Sequence, residues 1–543
     1  MKKWIAFLLA MVLLVGMLAG CSKKSANKGS GSSTADGTTP GQGAVTGGDG
    51  SNIAAVTDAG HQLSSVIVNY YFVDYITTLY QSIYESFGEN TSVYFAYMGI
   101  NVSTPLNTQV CDPDTGETWA DYFLKTALEQ AKSDLLLCDK ANAEGFRLDE
   151  NDRKAIENDV KTLQTYAPYL GYTSADEYLV ATYGNGATLA SYQTYMENSA
   201  LAAKYYNAHQ DMPVTDAQIR EHEKDRYFDY SSFTYAVYTI KVSDYLTGGT
   251  ETADGTKTYT QEEQDAARAA AKADADKLKN AGGFDAFDTA ITQLAINADK
   301  TSAVTSTKYD GVKYTKIQLQ DSAKLWLVND TRKNGDIAVF ANETTQTDAQ
   351  GNNTAVITSY DVVCFMERND NLQPLANVRH LLVEFESSNT DKTGATTYSQ
   401  EEKAAAKAEA ERLLQLWKEG EATEESFTAL LKEHTDDPGV VNNNGLYENI
   451  HPESPYVSSF LAWSIDSDRK AGDTAIIATE YGYHIMYFVG YSEITYRDYM
   501  ISQELQEAAH NTWYTAITES ATISVTDQSA LKLDMIISPA PAE

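Results

Sequence analysis

Apolar and aromatic residues recur at helical spacing through most of the first part of the chain, from Ala54 to Phe228. Several of these periodic runs begin after a Ser, Thr or Asp whose side chain can cap the first turn of a helix. Their tyrosine-rich faces are more typical of a packed core than of a binding surface. The pattern predicts helices at Leu63–Ser86, Trp119–Gly145, Asp149–Tyr166, Ser174–Tyr183, Thr188–His209 and Thr215–Arg226.

The second part contains one pattern twice: an opening apolar strand, an Ala- and Lys-rich helix, and a closing apolar strand. A capping box opens the main helix of each copy, at Thr258–Glu263 and at Thr397–Glu402. The repeat predicts two tandem α+β domains, at 229–370 and at 371–494. Each copy also has a tryptophan nine residues before the glycine of a Gly-Asp turn: Trp326 and Gly335 in the first, Trp463 and Gly472 in the second.

Length and charge limit the architecture and the partners. A chain of 543 residues is too long for a single core, so three or four domains are expected. The formal net charge of −35 argues against nucleic acid as a partner, because such binders need Lys and Arg to replace counterions at the phosphates. The acidic balance favours solubility and is compatible with cationic segments of other proteins.

The chain begins with the pattern of an export signal. Two lysines precede an apolar run from Trp4 to Leu18, which is short for a membrane span and typical of a signal peptide. The run ends in Leu-Ala-Gly-Cys21, which resembles a bacterial lipobox, and the resemblance implies that Cys21 is lipidated after removal of the signal peptide 1–21. The alternative is an ordinary signal peptide with a chance cysteine. Residues 22–52, rich in Gly, Ser, Thr and Ala, predict a flexible linker.

The other cysteines are Cys111, Cys138 and Cys364, and their spacing is not that of a metal or redox motif. The sequence therefore predicts no metal site and no cofactor. Cys364 lies in an apolar strand and is expected in the core. A disulfide between Cys111 and Cys138 stays open, since an exported protein meets an oxidising exterior.

Two histidines in apolar strands set the second copy apart. His380 lies within Val378–Val383, and His484 lies within Tyr481–Phe488. A buried imidazole needs a partner for each ring nitrogen, so two of them in one small domain predict a shared polar network. An acidic turn, Thr435–Gly439, and the Gly-Asp turn lie between the strands. This order resembles the parvulin family of peptidyl-prolyl cis/trans isomerases, α+β domains of the FKBP-like superfold.

The resemblance implies a catalytic set of His380, Asp437, Thr479 and His484. Thr479 matches the family's threonine that bonds to the histidine pair, and Asp437 matches the position of a Cys or Asp beside the peptide carbonyl. Asp436 is the alternative if the register slips by one. Without the resemblance, the histidines would be interpreted as core residues and Asp437 as part of a turn.

The same resemblance implies that Leu446, Tyr456 and Phe460 form the socket for the proline ring, with Val457 as an alternative to Tyr456. The family's Gly-Gly-x-Leu-Gly loop reads Asn443–Tyr447 here, and since Asn tolerates positive φ the turn is expected to survive. Rotation about an X-Pro amide has a barrier of about 18–20 kcal/mol. A site that prefers the twisted amide lowers that barrier without a metal, a cofactor or a nucleophile.

The first copy lacks these residues. Its opening strand, Phe233–Val242, contains no histidine, and Asp361 stands where the second copy has His484. This copy is interpreted as a scaffold or peptide-binding domain, with a mere spacer as the alternative, because a fold alone does not confer function.

The helical region 53–228 resembles the N-terminal chaperone lobe of PrsA- and SurA-like foldases in its helix order and in the segments 171–179 and 214–216. By the same resemblance, a helix predicted at Tyr496–Ser520, within 495–543, returns to complete that lobe, before a short strand at 521–525 and a loose tail. The expected protein is thus α+β and multidomain. It has an all-α N-terminal chaperone lobe and two parvulin-like domains.

These resemblances imply a foldase that is lipid-anchored on the extracytoplasmic face of the cell membrane. It would isomerise X-Pro bonds in unfolded or partly folded exported proteins and act as a chaperone for them. The alternative is a non-catalytic holdase, and a solute-binding lipoprotein is disfavoured because the strand–helix alternation of such domains is missing. Related foldases pair through their helical lobes, so a homodimer is one expected assembly.

Overall fold

The structure is a computed structural model that describes residues 52–537, apart from 225, 254, 298–304, 348–350, 352, 387–388 and 391–395. The predicted signal peptide, Cys21 and the linker up to residue 51 lie outside the described residues. The chain divides into two compact units: unit 1 is 1–213 with 506–543, and unit 2 is 214–505. Across the described ranges, none of the helices combines the length and apolar character needed to span a bilayer.

Fifteen helices and seventeen strands follow one another in the described residues, besides short 3-10 turns. The helices are α1 (Ser65–Phe87), α2 (Thr91–Tyr97), α3 (Trp119–Ala143), α4 (Glu150–Tyr166), α5 (Ala175–Tyr183), α6 (Leu189–Ala208), α7 (Asp216–Glu223), α8 (Gln261–Lys279), α9 (Phe284–Asn297), α10 (Asp321–Leu327), α11 (Gln400–Glu419), α12 (Glu424–His434), α13 (Val440–Asn443), α14 (Ser458–Ser464) and α15 (Tyr496–Thr518).

The strands are β1 (Ile53–Thr57), β2 (Gln62–Ser64), β3 (Val110–Asp112), β4 (Glu117–Thr118), β5 (Ser232–Lys241), β6 (Thr250–Glu251), β7 (Lys257–Thr258), β8 (Thr307–Lys313), β9 (Ile337–Thr347), β10 (Asn353–Asn369), β11 (Pro374–Glu384), β12 (Asn389–Thr390), β13 (Thr396–Thr397), β14 (Leu446–Ile450), β15 (Thr474–Ala478), β16 (Gly482–Thr495) and β17 (Ile523–Val525).

Unit 1 is built around α1, whose first nine residues are all buried. Helices α3 and α6 pack against each other, and α1 packs on α3. The predicted caps are in place: the side chain of Asp149 accepts from the amides of Asn151 and Asp152, and Ser174 accepts from Glu177. These side chains replace the intrahelical partners that the first amides of a helix lack.

The prediction of an all-α lobe is wrong in two places. Strand β1 pairs antiparallel with β2 and with β17, and β3 pairs with β4. The pairing of Ala55 with Val525 brings the two ends of the described chain into one small sheet. Helical spacing over the long segments conceals β1 to β4, because each has only two to five residues, whereas β17 lies within the predicted strand 521–525.

The tail after β17 is not loose either, as far as residue 537. Leu531, Leu533 and Met535 pack against the main apolar cluster of unit 1, and Ile537 is buried within it. The amide of Met535 donates to the carbonyl of Lys532 at 3.2 Å, so the segment makes a turn as it crosses this core. Cys111, Cys138 and Cys364 are free thiols, so the disulfide left open between the first two is not formed.

Unit 2 contains two four-stranded antiparallel sheets with the same strand order, β8-β5-β10-β9 and β14-β11-β16-β15. In the first, the amide of Gly335 donates to the carbonyl of Phe365 at 2.8 Å; in the second, Gly472 donates to Phe488 at 2.9 Å. This shared bond aligns Phe365 with Phe488 and therefore Asp361 with His484, as the sequence comparison predicts. That the first half is a parvulin-like domain stays a prediction.

Asp134 of α3 is a carboxyl group enclosed in the core of unit 1. It accepts hydrogen bonds from the hydroxyl of Tyr71 at 3.0 Å, the amide of Gln130 at 2.7 Å and the hydroxyl of Ser199 at 3.3 Å. Burial outweighs these donors and raises the pKa of Asp134 to about 7. Asp134 therefore keeps its proton in the folded state at pH values where the unfolded chain has already released it. As a result, the free energy of unfolding falls as pH rises from about 4 to about 7.

We expect Asp134→Asn to stabilise unit 1 by on the order of 2 to 4 kcal/mol at pH 8 and by much less at pH 4.5, since a neutral amide has no charge to bury. Thermal unfolding followed by circular dichroism at both pH values measures the difference. Asp159→Asn, at an exposed position of α4, is the control and should shift neither transition. Equal shifts at the two pH values would show that Asp134 is ionised in the fold.

Candidate active site

His380 and His484 lie on adjacent central strands, β11 and β16. The register pairs Leu382 with His484 and His380 with Met486, so the two histidines are diagonal neighbours on one face of the sheet. Their Nδ1 atoms are 3.1 Å apart, and both side chains are buried. The predicted polar network of two buried imidazoles is thus present in the fold.

With both rings neutral, the hydrogen bonds define which nitrogen of each imidazole carries a proton. His484 Nε2 lies 2.9 Å from the hydroxyl of Thr479, and His380 Nε2 lies 3.3 Å from the carboxylate of Asp437. An ionised carboxylate only accepts, so His380 donates through Nε2, and in a neutral ring its Nδ1 is then bare. His484 must then donate through Nδ1, and its Nε2 accepts from Thr479. A single directed line, Thr479 to His484 to His380 to Asp437, satisfies every ring nitrogen.

Asp437 is held at the end of this line by the acidic turn. Besides His380, it accepts from the hydroxyl of Tyr447 at 2.8 Å and from the amide of Gly439 at 2.9 Å. The bond to His380 is the largest cause that holds the pKa of Asp437 well below its usual range, against the opposing effect of burial. Asp436 instead accepts from the amide of Glu384, so it is Asp437 that reaches the histidine pair.

Burial and the neighbouring His380 lower the pKa of His484 to about 4. Both causes oppose a positive charge at this position, the first by desolvation and the second by proximity to another imidazole. The ring is therefore neutral at pH 7, in agreement with the donor line.

An aromatic floor closes one side of the histidine pair. Phe460 of α14 is 3% exposed, and its ring meets His380 edge to face at a centroid distance of 5.2 Å. Tyr456 packs on Phe460 at 5.3 Å, and Tyr447 packs on Tyr456 at 5.6 Å. Val457, the alternative to Tyr456, belongs to the same apolar cluster. Phe460 and Tyr456 thus lie where the predicted socket requires apolar surface.

Leu446 does not lie with this group. The register pairs Leu446 with Arg379 and Tyr447 with Val378, so Leu446 is on the face opposite His380 and Tyr447 is on the same face. The prediction of Leu446 as a socket residue is therefore wrong. Successive residues of a strand point to opposite faces, so the next residue, Tyr447, faces the histidines instead. Tyr447 is therefore a site residue that the sequence argument missed.

The loop before Tyr447 depends on two residues with positive φ. Asn444 has φ 52° and Gly445 has φ 69°. As expected, asparagine adopts the positive φ that this turn requires. A Cβ on Gly445 would lie 2.9 Å from Leu431 and 3.1 Å from the carbonyl oxygen of His380. The glycine is required by space as well as by conformation.

The corresponding face of the first half has different chemistry. The aligned register places Val237 where the second half has His380, and Val237 packs in an apolar cluster. Asp361, at the position of His484, accepts a hydrogen bond from Thr239 at 2.6 Å. The first half thus has neither imidazole, as the sequence predicts.

Comparison with known proteins agrees with this geometry. Residues 380–490 match the family described as "Rotamase: PPIC-type PPIASE domain". Two similar solved structures are peptidylprolyl isomerases (PrsA), from Bacillus anthracis, with 17% identity and a TM-score of 0.18 over 28% of this chain, and from Bacillus cereus, with 22% identity and a TM-score of 0.17 over 30%. The chain spans 59% and 56% of those two structures. No curated protein sequence matched.

We expect the imidazole of His484 to stay neutral from pH 8 down to about pH 5 and to titrate near pH 4, because burial disfavours its charged form. Nitrogen-15 NMR of histidine-labelled protein measures this, with the signal of His484 assigned by its loss in His484→Asn. The folded pKa is depressed, so the stability linked to this ring is present above pH 6.5 and is lost as pH falls towards 4. A midpoint near 6.5 would mean that the ring is not desolvated.

Proposed function

We propose, on the premise that residues 380–490 are a PPIC-type peptidyl-prolyl cis/trans isomerase domain, that the chain is a lipid-anchored foldase for exported proteins. Its substrates are X-Pro bonds in unfolded or partly folded chains on the extracytoplasmic side of the cell membrane. The observation that carries the proposal is the directed line of hydrogen bonds from Thr479 to Asp437 beside the aromatic floor.

The catalytic step follows from how charge moves when an amide twists. In the planar amide the carbonyl oxygen carries extra negative charge donated by nitrogen, and in the twisted form that charge returns to nitrogen. A fixed carboxylate beside the oxygen therefore destabilises the planar form more than the twisted one, which lowers the barrier. Asp437 would supply that charge, since its donors keep it ionised, while Phe460 and Tyr456 would hold the proline ring.

Anchoring and domain number belong to the same proposal. The lysines, apolar run and Leu-Ala-Gly-Cys21 sequence support lipidation at Cys21. The shared strand order of the two sheets supports two parvulin-like domains, of which the first, with Val237 and Asp361, would serve as a scaffold or bind peptide without isomerising it. Pairing of two chains through their helical lobes is part of the proposal by resemblance alone.

A chaperone activity in unit 1 is favoured by exposed apolar side chains on two consecutive helices. Tyr84 and Phe87 at the end of α1 are 47% and 45% exposed, and Val93 and Tyr97 of α2 are 66% and 91% exposed. Large apolar side chains that are left in water together favour a binding surface for other chains. A holdase that binds unfolded segments here, with little isomerase activity, is the second candidate function.

We expect Asp437→Asn to lower kcat/KM for a short Ala-Pro peptide by about 100-fold, since it removes the charge that distinguishes the twisted amide. A protease-free assay of cis/trans exchange by NMR measures the rate. Asp436→Asn is the matched control and should keep near wild-type activity, because Asp436 bonds to the amide of Glu384 and lies off the histidine line. Wild-type protein that does not accelerate exchange would leave only the holdase function.

We expect Tyr447→Phe to lower kcat about 3- to 10-fold with little change in KM, because the variant removes one hydrogen bond to the carboxylate and keeps the ring. Tyr447→Ala should also raise KM, since it removes the packing on Tyr456. Steady-state kinetics on the same peptide separates the two effects. A rise in KM alone for Tyr447→Phe would show that the hydroxyl contacts substrate and does not position Asp437.

A further inference from the structure

The edge of β11 beside the histidines is closed by a turn and not by a strand. Strand β14 pairs with β11 as far as Arg379. Farther along β11, the carbonyl of Leu382 accepts a hydrogen bond from the amide of Asp436, in the acidic turn, at 2.9 Å. The turn that contains Asp437 thus supplies partners that a neighbouring strand would otherwise supply to this edge.

The hydroxyl of Thr435 joins this turn to the strand. It accepts hydrogen bonds from the amide of Leu382 at 3.0 Å and from the amide of Asp437 at 3.2 Å. A hydroxyl oxygen has two lone pairs, so both of its acceptor positions are occupied. One oxygen atom thereby connects the strand that carries His380 to the main chain of the residue whose carboxylate faces that histidine.

The two ends of this connection are themselves held in place. Leu382 is 8% exposed, and the register pairs it with His484 on the neighbouring central strand. Thr435 follows the last residue of α12, and its amide donates to the carbonyl of Leu431 at 2.9 Å. The hydroxyl is therefore located by a helix on one side and by the central strands on the other, and it locates the main chain of Asp437.

The contact between Asp437 and His380 leaves little room for displacement. The carboxylate lies 3.3 Å from Nε2 of the ring, which is already long for a hydrogen bond. Tyr447 and Gly439 donate to the end of the side chain, whereas the hydroxyl of Thr435 holds the main chain. A catalytic group that is misplaced by about 1 Å can lose about 100-fold in rate, so the main-chain bond matters for the reaction as well as for the fold.

We propose that Thr435 is a positioning residue of the isomerase: its hydroxyl holds the carboxylate of Asp437 at the place beside His380 where it opposes the planar amide. Thr435 acts through Asp437 and needs no contact with the substrate. The end of α12 does not require this hydroxyl, because the last turn of a helix lacks donors for its carbonyls and not acceptors for amides. The proposal rests on the catalytic role proposed for Asp437.

The test compares two substitutions at one position in the full chain. Thr435→Val keeps the branched shape and removes the acceptor, whereas Thr435→Ser keeps the hydroxyl. In steady-state kinetics on the Ala-Pro peptide, we expect kcat of Thr435→Val to fall about 10-fold with KM within about twofold of wild type, and Thr435→Ser to stay within about twofold in both. Thr428→Val is the control, because the hydroxyl of Thr428 in α12 donates to the carbonyl of Glu424 at 2.9 Å and is expected to affect neither constant.

A second measurement needs no turnover. The bond from His380 is the largest cause that holds the pKa of the Asp437 carboxyl well below its usual range. We expect this pKa to rise in Thr435→Val, as the carboxylate moves away from its donors, and to stay low in Thr435→Ser. Carbon-13 NMR of the aspartate carboxyl groups follows the titration, with the signal of Asp437 assigned by its loss in Asp437→Asn.

A wild-type kcat in Thr435→Val, or equal losses in Thr435→Val and Thr435→Ser, would overturn the proposal. A slow Thr435→Val in which the carboxyl of Asp437 keeps its low pKa would overturn it too, since the hydroxyl would then act by another route.

If Thr435→Val does not fold, hydrogen exchange of the wild type decides. The amides of Leu382 and Asp437 should be protected as strongly as the amide of Asp436, and rapid exchange of the Asp437 amide would show that the hydroxyl does not hold it. If the wild type fails to accelerate X-Pro exchange, the titration of Asp437 still tests the positioning. The positioning role and the proposed function can therefore fail separately.

Discussion

The ionised carboxylate of Asp437 determines which groups of the site donate hydrogen bonds and which accept them. A carboxylate without a proton accepts hydrogen bonds and donates none, so the group beside it must donate. His380 is that group, and when its ring is neutral its Nδ1 is bare and accepts a hydrogen bond from a donor. His484 is that donor, through its Nδ1, and its Nε2 then accepts from the hydroxyl of Thr479 at the end of the line. One charge at the rim thereby orders two buried rings that could each adopt either tautomer.

The two halves of unit 2 show how little of this chemistry resides in the fold. Both sheets have the same strand order and the same hydrogen bond from a glycine to a phenylalanine carbonyl. Where one has a pair of imidazoles, the other has Val237 within an apolar cluster and Asp361 paired with Thr239. The backbone provides two adjacent inward positions, and the side chains alone decide whether they form a proton-ordered line.

Features set by local sequence were predicted from the sequence, and those set by pairing were not. Asp149 and Ser174 cap their helices as expected, because a cap depends on a few consecutive residues. The meeting of His380 with His484, 104 residues apart, is the exception, because both the need of buried imidazoles for partners and the family resemblance predicted it. Leu446 was assigned to the socket because the register of β14 on β11 is invisible in the sequence, and a shift of one residue exchanges it for Tyr447. Strand β17 lies within the predicted strand 521–525, but its pairing with β1 and the order of the following residues were missed for the same reason.

The sheet that joins β1 to β17 has a consequence for how the protein is made. Asp58 and Thr522 bond to each other across 464 residues, so the lobe that begins the chain is finished only by its last few dozen residues. Unit 2 is one uninterrupted stretch, 214–505. A chain that emerges amino end first thus releases the whole of residues 380–490 before the final strand of the lobe. Under the proposed function, this domain meets the proline bonds of its own chain before the lobe is complete.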